Sequence, residues 1–194
     1  MINQNLLMLL KQLKMYSEST YNHSIAVAYY CGQFSKMLGL SEESEFKLRI
    51  AGLFHDIGKL CIPIEILEKP GKLTIDEYEN LKMHPIYSVN LLSANGYRDE
   101  EIFSLILSHH EKLNGLGYPN GLDDKTIPLL TRILTICDCY DAMKSKRSYK
   151  DAKSLDYITS ELVSNSNTQF DSYYVKMFIS YLNENKEKRL FMKS

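Results

Sequence analysis

"HSIAVAYYCGQFSKMLG", residues 23–39, decides the fold class. His23, Ala26, Val27, Tyr30, Phe34, Met37 and Leu38 recur at spacings of three and four. That is the period of one helix face, not the alternation of a half-buried strand. The stripe begins on His23, so a histidine points where apolar side chains point. Gly39 supplies a stop, and Ser41 with Glu43 and Ser44 opens the next helix. That helix carries Leu48, Ala51, Gly52 and His55 on one face, and Gly58 is expected to end it.

The same period extends outward in both directions. Upstream, Ile2, Leu6, Leu9, Leu10 and Leu13 form a stripe. Downstream, residues 60–73 hold Pro63, Pro70 and Gly71 and read as a connecting loop. Thr74, with Glu77 three residues on, is a plausible capping box, and Pro85 suits the first turn of another helix. Ile102, Leu105, Ile106 and His109 form one further stripe. Leu130, Ile133, Leu134, Cys137 and Asp141 form the next. Leu155–Val163 and Tyr173–Leu182 read as closing helices within about 153–190, with a polar loop at 164–169. Neither strand alternation nor an internal repeat appears. The chain reads as all-α: a single-domain helical bundle over residues 1–194.

Composition narrows the function. The 194 residues suffice for one well-cored domain, and 44% hydrophobic with 24% charged content is ordinary for a globular protein. A net charge of −1 argues against a nucleic-acid polymer as partner. The apolar run Leu6–Leu10 is too short to span a bilayer, and no basic residue precedes it as in a signal peptide. A cytoplasmic location away from the membrane is therefore expected. Cys31, Cys61, Cys137 and Cys139 show no disulfide-framework spacing. Cys137-Asp-Cys139 reads first as small buried residues on a helix and only weakly as a metal signal.

All five histidines, His23, His55, His84, His109 and His110, precede residue 111, and four lie at or near predicted helix ends. His23, His55 and His109 continue apolar stripes and should point inward. One inward histidine is usually a hydrogen-bonded core residue. Several in one small bundle each need a partner, and a shared metal satisfies them together. Asp56 follows His55, and Asp138 interrupts an apolar helix, where an unpaired carboxylate is costly. Imidazole with carboxylate suits iron, manganese or zinc, not calcium, and the lack of clustered thiolates disfavours a structural zinc. Adjacent helical residues point about 100° apart, so His55-Asp56 and His109-His110 serve a common centre only where a helix end loosens. A pair of metals bridged by Asp56 accounts for both doublets.

Three stretches now coincide: "HDIGK" at 55–59, "HHEKLNGLGYP" at 109–119 and "RILTICDCYDAMKSKRSYK" at 132–150. In order and spacing they resemble the HD-GYP family, a branch of the HD phosphohydrolase superfamily, over about residues 15–155. The resemblance implies an all-helical fold with a centre of two or three metals, usually iron or manganese. It implies hydrolysis of cyclic di-GMP to pGpG or GMP. It implies that His55, Asp56 and Asp138 hold one metal and that Asp56, His84, His109 and His110 hold the second. Lys59 matches a lysine on the scissile phosphate, and Arg147 and Lys150 match residues that grip the nucleotide's phosphates. The expected catalytic pair is Asp56 and Lys59. The chemistry needs a hydroxide formed near neutral pH and a cation for phosphoryl charge, which such metals and Lys59 supply. Tyr118 either stacks on guanine or packs in the fold. Gly115 and Gly117 relax the loop's backbone, and Pro119 stiffens its exit.

The chain departs from the pattern at three places. Three-metal members carry a glutamate one turn before the match to His23, where this chain has Ser19 with Glu18 one residue off. We therefore expect two metals, with His23 lining the pocket or binding weakly. Asn114 replaces a usual aspartate, and Lys144 a usual threonine. Cys137 and Cys139 flank a ligand, which suggests oxidation sensitivity. Little sequence precedes residue 15, so regulation is expected from a partner docking on the Gly-Tyr-Pro loop, from homodimerisation or from expression level. Two alternatives stand beside the leading one. One is hydrolysis of another cyclic dinucleotide or phosphoester. The other is a catalytically weak module that binds cyclic di-GMP or docks a protein.

Overall fold

A computed structural model describes residues 3–145 and 152–191. Ile2, Arg147 and Lys150 lie outside the described residues. The described residues form ten α-helices: α1 (Gln4–Tyr16), α2 (Glu18–Met37), α3 (Glu42–Phe54), α4 (Ile64–Leu67), α5 (Ile75–Leu81), α6 (His84–Ala94), α7 (Glu100–Ser108), α8 (Leu129–Lys144), α9 (Leu155–Ser164) and α10 (Ser172–Phe191). Six start where a short polar side chain accepts a first-turn N–H: Asn3, Ser17, Ser41, Thr74, Asp99 and Ser154. Each such cap is worth about 1 kcal/mol. Thr74 and Glu77 form the expected capping box, and Pro85 sits in the first turn of α6. No helix is long and apolar enough to cross a membrane among the described residues.

The apolar stripes meet in one core. Phe34 of α2, Phe54 of α3, Leu105 of α7, Leu134 of α8, Leu162 of α9 and Phe178 of α10 are all buried in it. Two glycines set how closely its elements approach. A Cβ on Gly52 would stand 3.1 Å from the Ala28 Cα, so α3 lies directly on α2. A Cβ on Gly58 would overlap the His84 carbonyl oxygen and the Ser88 nitrogen, so the chain after α3 abuts the start of α6.

Two expectations need correction. α3 does not run to Gly58 but ends at Phe54, and Ile57–Cys61 is a separate 3-10 turn. Ser88 causes the break: its hydroxyl accepts the Gly58 N–H (2.8 Å) and donates to the His55 carbonyl (2.7 Å), clasping the turn to α6. The segment 60–73 is not all loop, because α4 lies within it. Two isolated bridges, Asn114 with Asp123 and Ser166 with Phe170, pin loops, and no strand forms among the described residues. Lys144 is a packing residue. Its ammonium donates to the Tyr30 hydroxyl (2.6 Å) and lies over the Tyr30 and Tyr140 rings at 5.0 and 5.1 Å.

Candidate metal centre

The helix ends converge on one cluster. His55 caps the C-terminus of α3, with Asp56 next to it, and His109 caps the C-terminus of α7, with His110 next to it. His84 is the first residue of α6. Asp138 and Asp141 lie one turn apart on α8, and His23 lies in the second turn of α2 rather than at an end. All except half-buried His110 are buried.

Three imidazoles have their protons assigned by the backbone. The Nδ1 of His55 lies 2.8 Å from the Gly52 carbonyl, that of His84 2.8 Å from Leu81, and that of His109 2.6 Å from Ile106. A carbonyl only accepts, so each Nδ1 carries the hydrogen and each Nε2 of the neutral ring presents a lone pair. These carbonyls belong to last helical turns, where the helix leaves them without ladder partners. Three residues at helix ends thus turn Nε2 toward one point.

Burial keeps the rings of His84, His109 and His110 neutral. Burial lowers His84 to about 3 and His109 to about 4, against the nearby Asp56 charge that pulls both upward. Burial also holds His110 well below the ordinary value, helped by His109 and His84 beside it. The carboxylates go the other way. Burial would raise Asp56, but the Lys59 ammonium beside it outweighs this and holds it well below the usual range. Burial is likewise outweighed at Asp138, by the His23 bond and the nearby His55 ring.

This arrangement leaves acceptors facing acceptors. The Nε2 atoms of His84 and His109 stand 3.3 Å apart, and the His84 Nε2 is 3.2 Å from Asp56 Oδ1. With their protons on Nδ1, both contacts set lone pair against lone pair. His55 Nε2 and Asp56 Oδ1 are buried without a hydrogen-bond partner. Such groups cost free energy in a dry site. A divalent cation among them converts each repulsion into ligation, so the residues fit a metal. Three overlapping sets have ligand atoms within 4.8 Å of one another: His84, His109 and His110; His23, His55 and Asp138; His55, Asp56 and His109. No cysteine joins these sets among the described residues, and Cys137 is a buried core residue.

The remaining expected residues surround the cluster. Lys59 places its ammonium 2.6 Å from Asp56 Oδ2. Tyr118 lies with its ring centroid 4.7 Å from that of His110 and 5.6 Å from the Lys82 ammonium. Burial pushes its hydroxyl up. Ser19 points to the Ser17 hydroxyl (3.1 Å) and is exposed, as is Glu18. Asn114 Oδ1 accepts the Leu116 N–H (3.1 Å), a bond an aspartate would make equally well.

Three residues that position this site, Ser88, Glu111 and Asp141, went unassigned in the sequence. Ser88 clasps the Gly58 turn as described. Glu111 is buried and accepts the N–H groups of Asn120 (2.7 Å) and Leu122 (2.9 Å), folding the Gly-Tyr-Pro loop back over His110. Gly117 packs against the Glu111 backbone, where a Cβ would overlap it. Asp141 accepts from His23 Nδ1 at 2.7 Å, while His23 Nε2 faces Asp138 Oδ1 at 2.9 Å. Burial would lower His23, but these two carboxylates outweigh it and raise its pKa. The sequence signals were present: a glutamate after a histidine doublet, and a second aspartate one turn after the first on an apolar helix.

Comparison with known proteins gives the family. A family model described as HD domain matches residues 7–173. The chain is 36% identical over 169 residues to the 3'3'-cGAMP-specific phosphodiesterase 2 of Vibrio cholerae, covering 87% of this chain and 32% of that protein. It is 40% identical over 146 residues to the cyclic di-GMP phosphodiesterase response regulator RpfG of Xanthomonas campestris pv. campestris, covering 75% of this chain and 39% of that one. The chain thus spans less than half the length of these curated relatives. A solved structure of Bd1817, a HDG"Y"P protein from Bdellovibrio bacteriovorus, shares the fold with a TM-score of 0.68 at 18% identity, over 83% of this chain and 51% of that one.

Proposed function

Because the chain belongs to the HD domain family and carries the His-Asp and Gly-Tyr-Pro motifs of its HD-GYP branch, we propose that it is a metal-dependent phosphodiesterase hydrolysing cyclic di-GMP to pGpG or GMP. One observation carries the reading: buried lone pairs of His55, His84, His109 and Asp56 converge with no proton between them. In this reading His55, Asp56 and Asp138 hold one divalent ion, and Asp56, His84, His109 and His110 a second, iron or manganese. Bound there, such ions supply Lewis acidity for the phosphoryl charge and make water acidic enough to lose a proton near neutral pH.

The chain's own groups do the rest. Lys59, held beside Asp56, donates to a phosphoryl oxygen as charge builds there. Asp56 stays ionised at neutral pH, so it serves as a ligand without first losing a proton. Arg147 and Lys150 are assigned to the substrate's phosphates, where a guanidinium fork suits two oxygens. The Tyr118 ring closes the cluster over His110 and offers an apolar edge to a base. The same reading includes action in the cytoplasm, with regulation through a partner on the loop or through a homodimer.

The test is direct. The purified protein is analysed for iron and manganese, given cyclic di-GMP, and its products resolved. About two metals per chain and release of pGpG or GMP are expected. Lys59→Ala should lower kcat about 100-fold with metal content unchanged. Asp56→Ala should lose both metal and activity, and full retention of either sinks the two-metal reading. A relative named as specific for 3'3'-cGAMP favours one second reading, so that dinucleotide is assayed in parallel. Faster turnover of it reassigns the substrate. Tight binding of cyclic di-GMP without product, after metal reconstitution, makes the protein a binding module instead.

A further inference from the structure

His23 differs from the other oriented histidines. His55, His84 and His109 take their Nδ1 partners from carbonyls in last helical turns. His23 lies inside α2, where the carbonyls three and four residues back belong to the helical ladder. Its ring instead has a carboxylate at each nitrogen, Asp141 at Nδ1 and Asp138 at Nε2. Its orientation comes from side chains.

α8 provides both. Asp138 and Asp141 are three residues apart, so both project from the same helix face toward α2. They hold the His23 ring from opposite sides, Asp141 Oδ2 at Nδ1 (2.7 Å) and Asp138 Oδ1 at Nε2 (2.9 Å). Asp141 is 2% exposed, and its other oxygen accepts from the Ser145 hydroxyl at 3.1 Å. It does not belong to any of the close ligand sets, whereas His23, His55 and Asp138 form one. Both Asp141 oxygens are thus occupied in holding something else.

We propose that Asp141 is a positioning residue: it takes the Nδ1 hydrogen of His23 and so directs Nε2 into the set formed with His55 and Asp138. It is the side-chain counterpart of the three backbone carbonyls, supplied at a histidine that lies inside a helix. A carboxylate behind a ligating imidazole fixes the ring and raises its basicity, and its loss typically costs 10–100-fold in metal affinity. The inference rests on the metal-binding reading above.

The selectivity of the effect separates positioning from general support. Asp141 touches only the His23 side of the cluster, so only the ion held there should weaken. Metal-free protein is titrated with Mn²⁺, and free Mn²⁺ is followed by its electron paramagnetic resonance signal. For Asp141→Ala we expect one equivalent to weaken at least 10-fold, while the equivalent at His84, His109 and His110 binds as in the parent protein. Asp141→Asn keeps an acceptor oxygen and should recover most of the loss. In a His23→Ala background, Asp141→Ala should add nothing.

Each other result overturns the proposal. Normal binding of both equivalents by Asp141→Ala leaves the residue no positioning role. Weakening of both equivalents together, with no rescue by asparagine, makes it a structural support. An undiminished effect without His23 shows that it acts elsewhere. A parent protein that binds no Mn²⁺ overturns the metal reading and this inference with it, and so is distinguishable from a failure at Asp141 alone.

Discussion

His84 and His109 give up their Nδ1 hydrogens to Leu81 and Ile106, and burial keeps both rings from taking another proton until about pH 3 and about pH 4. In the unfolded chain both return to about 6.5. As pH falls below that value the unfolded state binds protons that the folded state refuses, so stability falls with pH. The slope is about 1.4 kcal/mol per pH unit for each such histidine. His23 has the opposite sign: its raised folded value contributes stability below 6.5 that is lost as pH rises through the folded pKa. Asp56 and Asp138 contribute stability above their ordinary 3.8, lost only below it. For chelator-treated protein we expect the urea midpoint to drop steadily from pH 6.5 to 4.5, and a flat profile there would contradict neutral buried histidines. At this scale the sequence was partly legible. Stripe position identifies His23, His55, His109 and Asp141 as inward, and the cost of an unpaired carboxylate in an apolar helix points to Asp138. Neither reveals the partner of His23, which lies 118 residues away.

Between α3 and α6 the local code and the fold disagree. The residues of HDIGK keep a helical spacing, so the sequence extends α3 to Gly58. The Ser88 hydroxyl instead takes the Gly58 N–H and caps the His55 carbonyl, and the chain tightens into a 3-10 turn. That tertiary bond is invisible to periodicity. The turn places Asp56 and Lys59 on the same side, with 2.6 Å between their charged atoms. Gly58→Ala should therefore cost about 1–3 kcal/mol through overpacking on α6. It should also displace His84, so metal content and melting temperature fall together. Retention of full metal content with a lowered melting temperature would show that the turn supports the fold without positioning the ligand. The Gly-Tyr-Pro loop has a similar dependence on Glu111. Glu111→Ala leaves two backbone N–H groups unsatisfied, at about 1–3 kcal/mol each if they stay buried. Faster proteolytic cleavage within residues 112–122, before global unfolding, is the expected readout. The motif announces the loop, but nothing in its letters says that the preceding glutamate ties it down.

The whole molecule builds its centre from parts that share no local sequence: α2, the ends of α3 and α7, the start of α6, and α8. An ion bound there joins elements that otherwise touch only through packing, and it binds the folded state alone. At a free concentration 100 times the dissociation constant, such an ion adds about 2.7 kcal/mol. For a chain of this size that should raise the melting temperature by roughly 5–10 °C, reversed by chelator. A melting curve unmoved by Mn²⁺ or Fe²⁺ would speak against a centre that spans the bundle. The all-α architecture was legible because helical period survives from Leu6 to Leu182. The meeting of these helices was legible only as a demand, since the buried histidines and aspartates needed something in common. The backbone carbonyls behind His55, His84 and His109 carry a further consequence for how this protein tolerates genetic change. A carbonyl survives every amino-acid replacement, so no single codon at positions 52, 81 or 106 deletes the group that orients those rings. His23 lacks that protection. Its Nδ1 partner is a side chain, which makes codon 141 a point of failure that the three carbonyl-oriented histidines do not share.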